Sequence, residues 1–219
     1  MLKFALISLF TLISTYLFCI EVPGYYITLE NDTIQTTFRV PDKLERGQYA
    51  IGGGYLKIQK EIISVQDGIE KKLTPKEIKE FSFNLDGIEI RMLVKHSMDY
   101  NLGDIFKRVI FEGQHVMVVG EYLRFRGSLN GGGNVTGVKY WVTIKHSDNT
   151  STSDSESAES NWGKKALADI FKECPKVVGK IQAKILKRDD IGMIAEEYEE
   201  CLKSASQTNK STENTDKTE

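Results

Sequence analysis

Cys174 and Cys201 are the side chains whose type most directly implies covalent chemistry. They are the only cysteines beyond residue 20 of the 219-residue chain. A thiol turns nucleophile only where an electropositive surrounding depresses its pKa. Here each cysteine has the other as a partner, and an even pair reads as a disulfide. His96, His115 and His146 are the three histidines. None stands at ligand or triad spacing from another His, Cys or Glu, so each reads as a surface or strand-end residue. Asp189-Asp190 fits a helix cap better than a metal site. Glu196, Glu197, Glu199 and Glu200 read as the solvated face of a helix. The oxygen spacing and glycine turn of a calcium loop are missing. No catalytic, cofactor or metal site is therefore assigned. Tyr140 and Trp141, adjacent on an expected strand, point to opposite faces. One of them exposed would give an aromatic anchor for a partner, although aromatics on pleated sheets commonly pack in the core.

Those residues must be placed by the elements around them, and the N-terminus sets the compartment. Lys3 is followed by the uncharged run Phe4 to Ile20, FALISLFTLISTYLFCI. A positive start and an apolar run form the signal-peptide pattern. At 17 residues, diluted by Thr11, Ser14 and Thr15, it is short of the roughly 20 apolar residues of a bilayer span. An uncleaved anchor is the alternative. A lipoprotein would need a small residue before Cys19, where Tyr16-Leu17-Phe18 stands. Residues 1–20 are assigned as signal, with cleavage between 20 and 25. The folded part is expected in the periplasm, outer envelope or outside the cell, where disulfides persist.

Charge excludes one class of partner. Residues 21–146 hold 17 basic and 16 acidic side chains, and 162–203 hold 9 and 8. Neither has the cationic excess that phosphate backbones attract, so nucleic acid is not an expected partner. Membrane contact is expected only through an uncleaved signal.

Residues 21–146 read as an antiparallel β domain, roll or barrel-like. Tyr25–Glu30 and Thr33–Val40 flank Asn31-Asp32, a hairpin signal. Tyr55–Gln59, Glu61–Val65, Ile69–Leu73, Phe81–Leu85, Ile88–Lys95, Ile105–Glu112, His115–Phe125 and Val138–His146 follow. Asp67-Gly68 and Asp86-Gly87 mark turns. Thr74-Pro75-Lys76-Glu77 is a capping box that predicts one helical turn. The Gly52–Gly54 and Asn130–Asn134 stretches read as breaks, and neither has the pattern of a phosphate loop.

Residues 147–161, SDNTSTSDSESAESN, have nothing large and apolar to bury and read as an acidic Ser-rich linker. Beyond it the apolar period changes from 2 to 3.6. Residues 162–203 read as two to three short helices, broken at Pro175 and near Lys187–Asp189. An antiparallel pair over 175–186 and 190–202 puts Cys174 beside Cys201, within reach of a bridge. Residues 204–219 read as a disordered tail.

The order of GYYITLENDTI, LTPKEIKEFSF, IFKRVIFEGQHVMV and DIFKECPKVVGKI resembles a family of secreted Bacteroidetes proteins of unknown function. The resemblance spans most of residues 24–202. It implies a β-rich domain followed by a small helical module, and it brings no site residues. Family members often end the last helix with Tyr-Asn, whereas Glu199 follows Tyr198 here. A bacterial source would make the Asn-X-Ser/Thr matches at Asn31, Asn134 and Asn149 chance ones.

The expectation is an α+β chain acting as a non-enzymatic interaction protein of the envelope or extracellular space. Its partner would be an unknown protein or small ligand. A small-ligand carrier with an apolar cavity in the β domain is the first alternative, and an unrecognised hydrolase the second.

Overall fold

Paired Asp-Gly turns set the register of the sheet. Asp67 and Gly68 have φ of 52° and 76°, and Asp86 and Gly87 have 52° and 78°. Two consecutive positive φ values twist the chain as a two-residue hairpin requires. They join β3 (Ile62–Gln66) to β4 (Ile69–Leu73) and β5 (Ile78–Leu85) to β6 (Ile88–His96). Gln66 accordingly pairs with Ile69, and Leu85 with Ile88. The computed structural model describes residues 19–41, 54–97, 103–125, 135–145, 154–155 and 163–213. The expected signal up to residue 18, Gly52-Gly53, Asn130–Asn134, His146 and most of the Ser-rich segment lie outside them.

The chain forms two contact units, residues 1–108 with 122–138, and 109–121 with 139–219. In the first, β1 (Cys19–Thr28) and β2 (Thr33–Pro41) precede a short helix, α1 (Gly54–Ile58), and β7 (Asp104–Glu112) follows β6. The strand order is β4–β3–β2–β1–β5–β6–β7. Its core holds Phe38, Phe81, Phe83 and Phe106. Phe81 packs edge-on to Phe106 at 4.9 Å and tilted to Phe38 at 5.6 Å. Gly24 is required here. A Cβ on it would strike the Ser82 carbonyl oxygen and lie 2.9 Å from the Phe38 ring.

Three local expectations for this unit are corrected. Tyr55–Ile58 is helical, because Tyr55 and Ile58, three apart, share the buried face; over five residues a helical and an alternating pattern look alike. A helix therefore does begin beside the Gly52–Gly54 stretch. Only half of the Thr74–Glu77 box forms, and no helix follows, because the Thr74 hydroxyl donates to the Glu77 carboxylate at 2.8 Å instead of accepting from the Glu77 N–H. Glu77 N donates to Thr74 O at 3.0 Å, and the Glu77 carboxylate accepts from Thr74 N at 2.9 Å. Ile78 then enters β5 at once. The Asn31-Asp32 turn is wider than two residues, since Ile27 pairs with Thr33. Asn31 takes the positive φ of 76°.

The second unit holds the far part of β7, then β8 (Val116–Phe125) up to Glu121, and β9 (Val135–Ile144) from Lys139. Three helices complete it, α2 (Lys164–Ile170), α3 (Pro175–Gln182) and α4 (Ile191–Glu213), with a 3-10 turn at Arg188–Asp190. The antiparallel sheet followed by C-terminal helices is the expected α+β fold. The helices do not stand alone, however. Val116, Val118, Val142 and Ile144 share one core with Phe171, Val177, Ile194 and Tyr198. Short amphipathic helices have too little surface to cover their own apolar faces, and these strands complete the cover. The contact units thus divide elsewhere than at 147–161. Within that segment Asp154–Ser155 (β10) pairs with Thr143 and Val142 of β9. Helix α4 continues past Ser204, where a disordered tail was expected. Ser204 Oγ donates to Glu200 O at 2.9 Å, and the following residues include good helix formers. Among the described residues, no helix is long and apolar enough to cross a membrane.

Candidate functional site

The second unit carries the features that bear on function. Cys174 and Cys201 form a disulfide, with Cα atoms 6.3 Å apart. Pro175 starts α3 directly after Cys174, and the antiparallel return of α4 brings Cys201 alongside. Cys174 is fully buried. Cys19, at the start of β1, is a free, exposed thiol. A cross-link of this kind is compatible with an oxidising compartment.

Glu196 and Glu200 are exposed, as a solvated face requires, and Glu197 is half-buried, but Glu199 departs from that reading. It is 3 % exposed. Its carboxylate accepts from the backbone N–H of Gln114 at 2.9 Å and of His115 at 2.8 Å. His115 Nδ1 lies 3.1 Å from the same carboxylate, and Lys203 Nζ lies 3.4 Å away. Burial pushes the Glu199 carboxyl up, but the donors from His115 and Gln114 outweigh it and hold the group below its ordinary value. Gly113 makes room for it, because a Cβ there would overlap the carboxylate. Glu199 is thus a clamp on the β7–β8 turn. Its neighbour Tyr198 is fully buried, edge-on to Phe171 at 5.2 Å, and donates to Glu173 at 3.1 Å. Burial first, then Glu173, pushes the Tyr198 hydroxyl up.

Other expected site residues fall as follows. Tyr140 and Trp141 are both partly buried, and Tyr140 packs against the second core, so neither stands out as an exposed anchor. His96 pairs with Asp104 at 3.1 Å on the surface. Asp190 accepts from Lys187 N at 2.9 Å, three residues back, as the far member of a capping box on the 3-10 turn and not as the cap of α4. Among the described residues, no three of His, Cys, Asp or Glu converge as a metal set.

A cavity of about 250 Å³ lies where α2, the end of α3 and the following connection meet. Its floor is Leu167, Ile181 and Leu186, all buried. Its other lining residues are Lys164, Lys184, Lys187 and Arg188, so every polar side chain in the lining is cationic. The ligand-carrier expectation placed a cavity inside the β domain, whereas this one belongs to the helical module. Comparison with family models, curated proteins and solved structures finds no match. Function must therefore be argued from the site itself.

The end of α3 adds no unpaired carbonyl to this lining. The last four carbonyls of a helix lack intrahelical donors. Here Gly179 O accepts from Ala183 N, Ile181 O from Lys184 N, and Lys180 O from Ile185 N and Leu186 N. Gln182 O accepts from Lys164 Nζ at 2.8 Å. All four are thus satisfied. The closure needs Lys184 at φ 62°, a left-handed conformation usually given to glycine. Ile185, between two lining residues, is 69 % exposed. Sequence periodicity identified the helices. It did not reveal the cavity, because the lining lysines lie at irregular spacing across a helix end.

A second polar cluster sits in the first unit. The Gln59 side chain donates to Tyr122 O at 2.9 Å and accepts from Tyr122 N. Tyr55 and Tyr122 stack at 4.2 Å, with Arg108 5.2 Å from the Tyr55 ring centroid. Burial, with Tyr122 adding and Arg108 offsetting, pushes the Tyr55 hydroxyl up to about 12. The Gln59 side chain is buried with both ends of its amide paired, and the cluster reads as structural.

Proposed function

We propose that this chain is exported and works in the envelope or extracellular space as a non-enzymatic binding protein, with its disulfide-stapled helical module as the binding element. The observation that carries the reading is the cavity beside Ile185, an apolar floor under an all-cationic polar lining. Lysine and arginine side chains only donate hydrogen bonds. Such a lining suits recognition of an anion and offers no proton acceptor for catalysis. Membership of the secreted Bacteroidetes family, supported by the order of the four quoted motifs, belongs to the same proposal.

A photo-crosslinking residue at Ile185, compared with one at Ile69 on β4, tests it in cells. Adducts formed from position 185 in the envelope or secreted fraction, and not from 69, are the expected result. Full-length protein confined to the cytosol, or equal adducts from both positions, would overturn it.

A further inference from the structure

We infer that the cavity between α2 and α3 binds a medium-chain aliphatic monocarboxylate. The inference rests on the helical module being the binding element and names the ligand chemistry.

Size sets the first limit. A volume of about 250 Å³ equals roughly eight water volumes of about 30 Å³ each. That accommodates one short unbranched tail, not a sterol or a two-chain lipid. The floor of Leu167, Ile181 and Leu186 is wholly aliphatic, matching an alkyl chain rather than a ring that would seek aromatic stacking.

Hydrogen-bond type sets the second limit. Lys164, Lys184, Lys187 and Arg188 carry donors and no acceptors, and the terminal carbonyls of α3 already have donors. A ligand with its own N–H or O–H groups would leave them unpaired against these side chains, at a cost in affinity. Sugars, peptides and zwitterionic amino acids are disfavoured on that ground. A carboxylate is acceptor-only and meets the rim charge. Asp189 lies 3.7 Å from Arg188 and is more than half exposed, and the Asp190 carboxylate is taken up by Lys187 N; Lys164 and Lys184 have no acidic residue within four positions in sequence.

Backbone strain supplies an independent observation. Lys184 holds a positive φ at a position where glycine would be easier. Non-glycine residues kept in this region cluster at functional sites. The strained residue here is also one of the four cations lining the cavity, and glycine would close the helix but remove the charge.

The test uses the exported chain with its disulfide intact and octanoate as the probe. Titration followed by methyl NMR should show one site, with shifts confined to Leu167, Ile181 and Leu186 and a Kd on the order of 0.1–1 mM. Octylamine and acetate should bind much more weakly, because each lacks one half of the match. Lys184→Gly should weaken octanoate about two- to fivefold without lowering Tm. Lys187→Gln, at an exposed unstrained position, should weaken it similarly and provides a second readout. Octylamine binding as well as octanoate, acetate binding as well as octanoate, or unchanged affinity in both variants would overturn the inference. Envelope adducts from position 185 alongside any of these results would leave the binding-module reading standing and sink only the carboxylate.

Discussion

Glu199 and His115 lie 84 residues apart in sequence yet meet twice, through the His115 backbone N–H at 2.8 Å and its ring Nδ1 at 3.1 Å. A single carboxylate so fastens α4 to the β7–β8 turn. Glu199→Ala removes a buried acceptor from two part-buried backbone donors and should cost about 1–3 kcal/mol in chemical denaturation. Glu199→Gln keeps an acceptor oxygen and should cost less. A change within about 0.5 kcal/mol, as for an ordinary surface site, would show that the clamp contributes nothing.

The same group predicts an acid dependence. Its folded pKa is lowered, so its contribution is present above the unfolded value of about 4.3. It is lost as pH falls through the folded value. His115 and Lys203 are the titratable groups with recorded contacts to it. The stability gap between wild type and Glu199→Gln should be constant near neutrality and close at the acid end. A gap that widens on acidification would contradict the sign.

Gly113 should be coupled to Glu199. Gly113→Ala places a methyl against the carboxylate and 2.9 Å from the Phe111 ring, a clash of the kind that costs about 1–3 kcal/mol. In a Glu199→Ala background much of that clash is gone. A double-mutant cycle should therefore return a non-additive term, and strict additivity would mean that the turn relaxes without touching Glu199.

Reduction of the Cys174–Cys201 bridge, at a sequence separation of 27, should cost about 3–4 kcal/mol through the unfolded state. Non-reduced mass spectrometry should find the cross-linked peptide. In Cys201→Ser, hydrogen exchange should quicken in α3 and α4 while amides of β1, β2 and β5 stay protected. A melting curve indifferent to reductant would remove the staple from the account.

Tyr55 predicts an alkaline limit. Its folded pKa of about 12 against an ordinary 10 favours the folded state below pH 10. That contribution fades as pH rises from about 10 to 12. Tyr55→Phe should remove this part of the alkaline destabilisation, and a loss of stability unchanged by the substitution would assign it elsewhere.

Legibility in the sequence followed the range of the interactions. Asp67-Gly68 and Asp86-Gly87 were readable because the turn chemistry lies in the two residues themselves. The disulfide was readable because helix length and Pro175 fix where Cys174 and Cys201 fall. The Glu199 clamp was not, since its partners are backbone groups of a distant turn and its own neighbours, EEYEE, look solvated. Helix α1 was missed because five residues hold too little pattern to separate a period of 3.6 from one of 2. The cavity depends on how a helix closes at Lys184, and no periodicity reports a positive φ at a lysine.

Among the described residues, strand β4 ends the strand order, and Ile69, Glu70, Lys71 and Lys72 along it are all exposed. A terminal strand offers a row of unused backbone groups on which a foreign strand can grow. A second copy added in parallel register would set Lys71 on Lys71 and Lys72 on Lys72, pressing like charges together. Lys72 is held near Glu61 at 3.0 Å, which keeps it at this border. Two lysines that look like ordinary solvated residues thus act as a guard against fibril-like stacking, and their replacement by valine or threonine would turn a soluble border into a template.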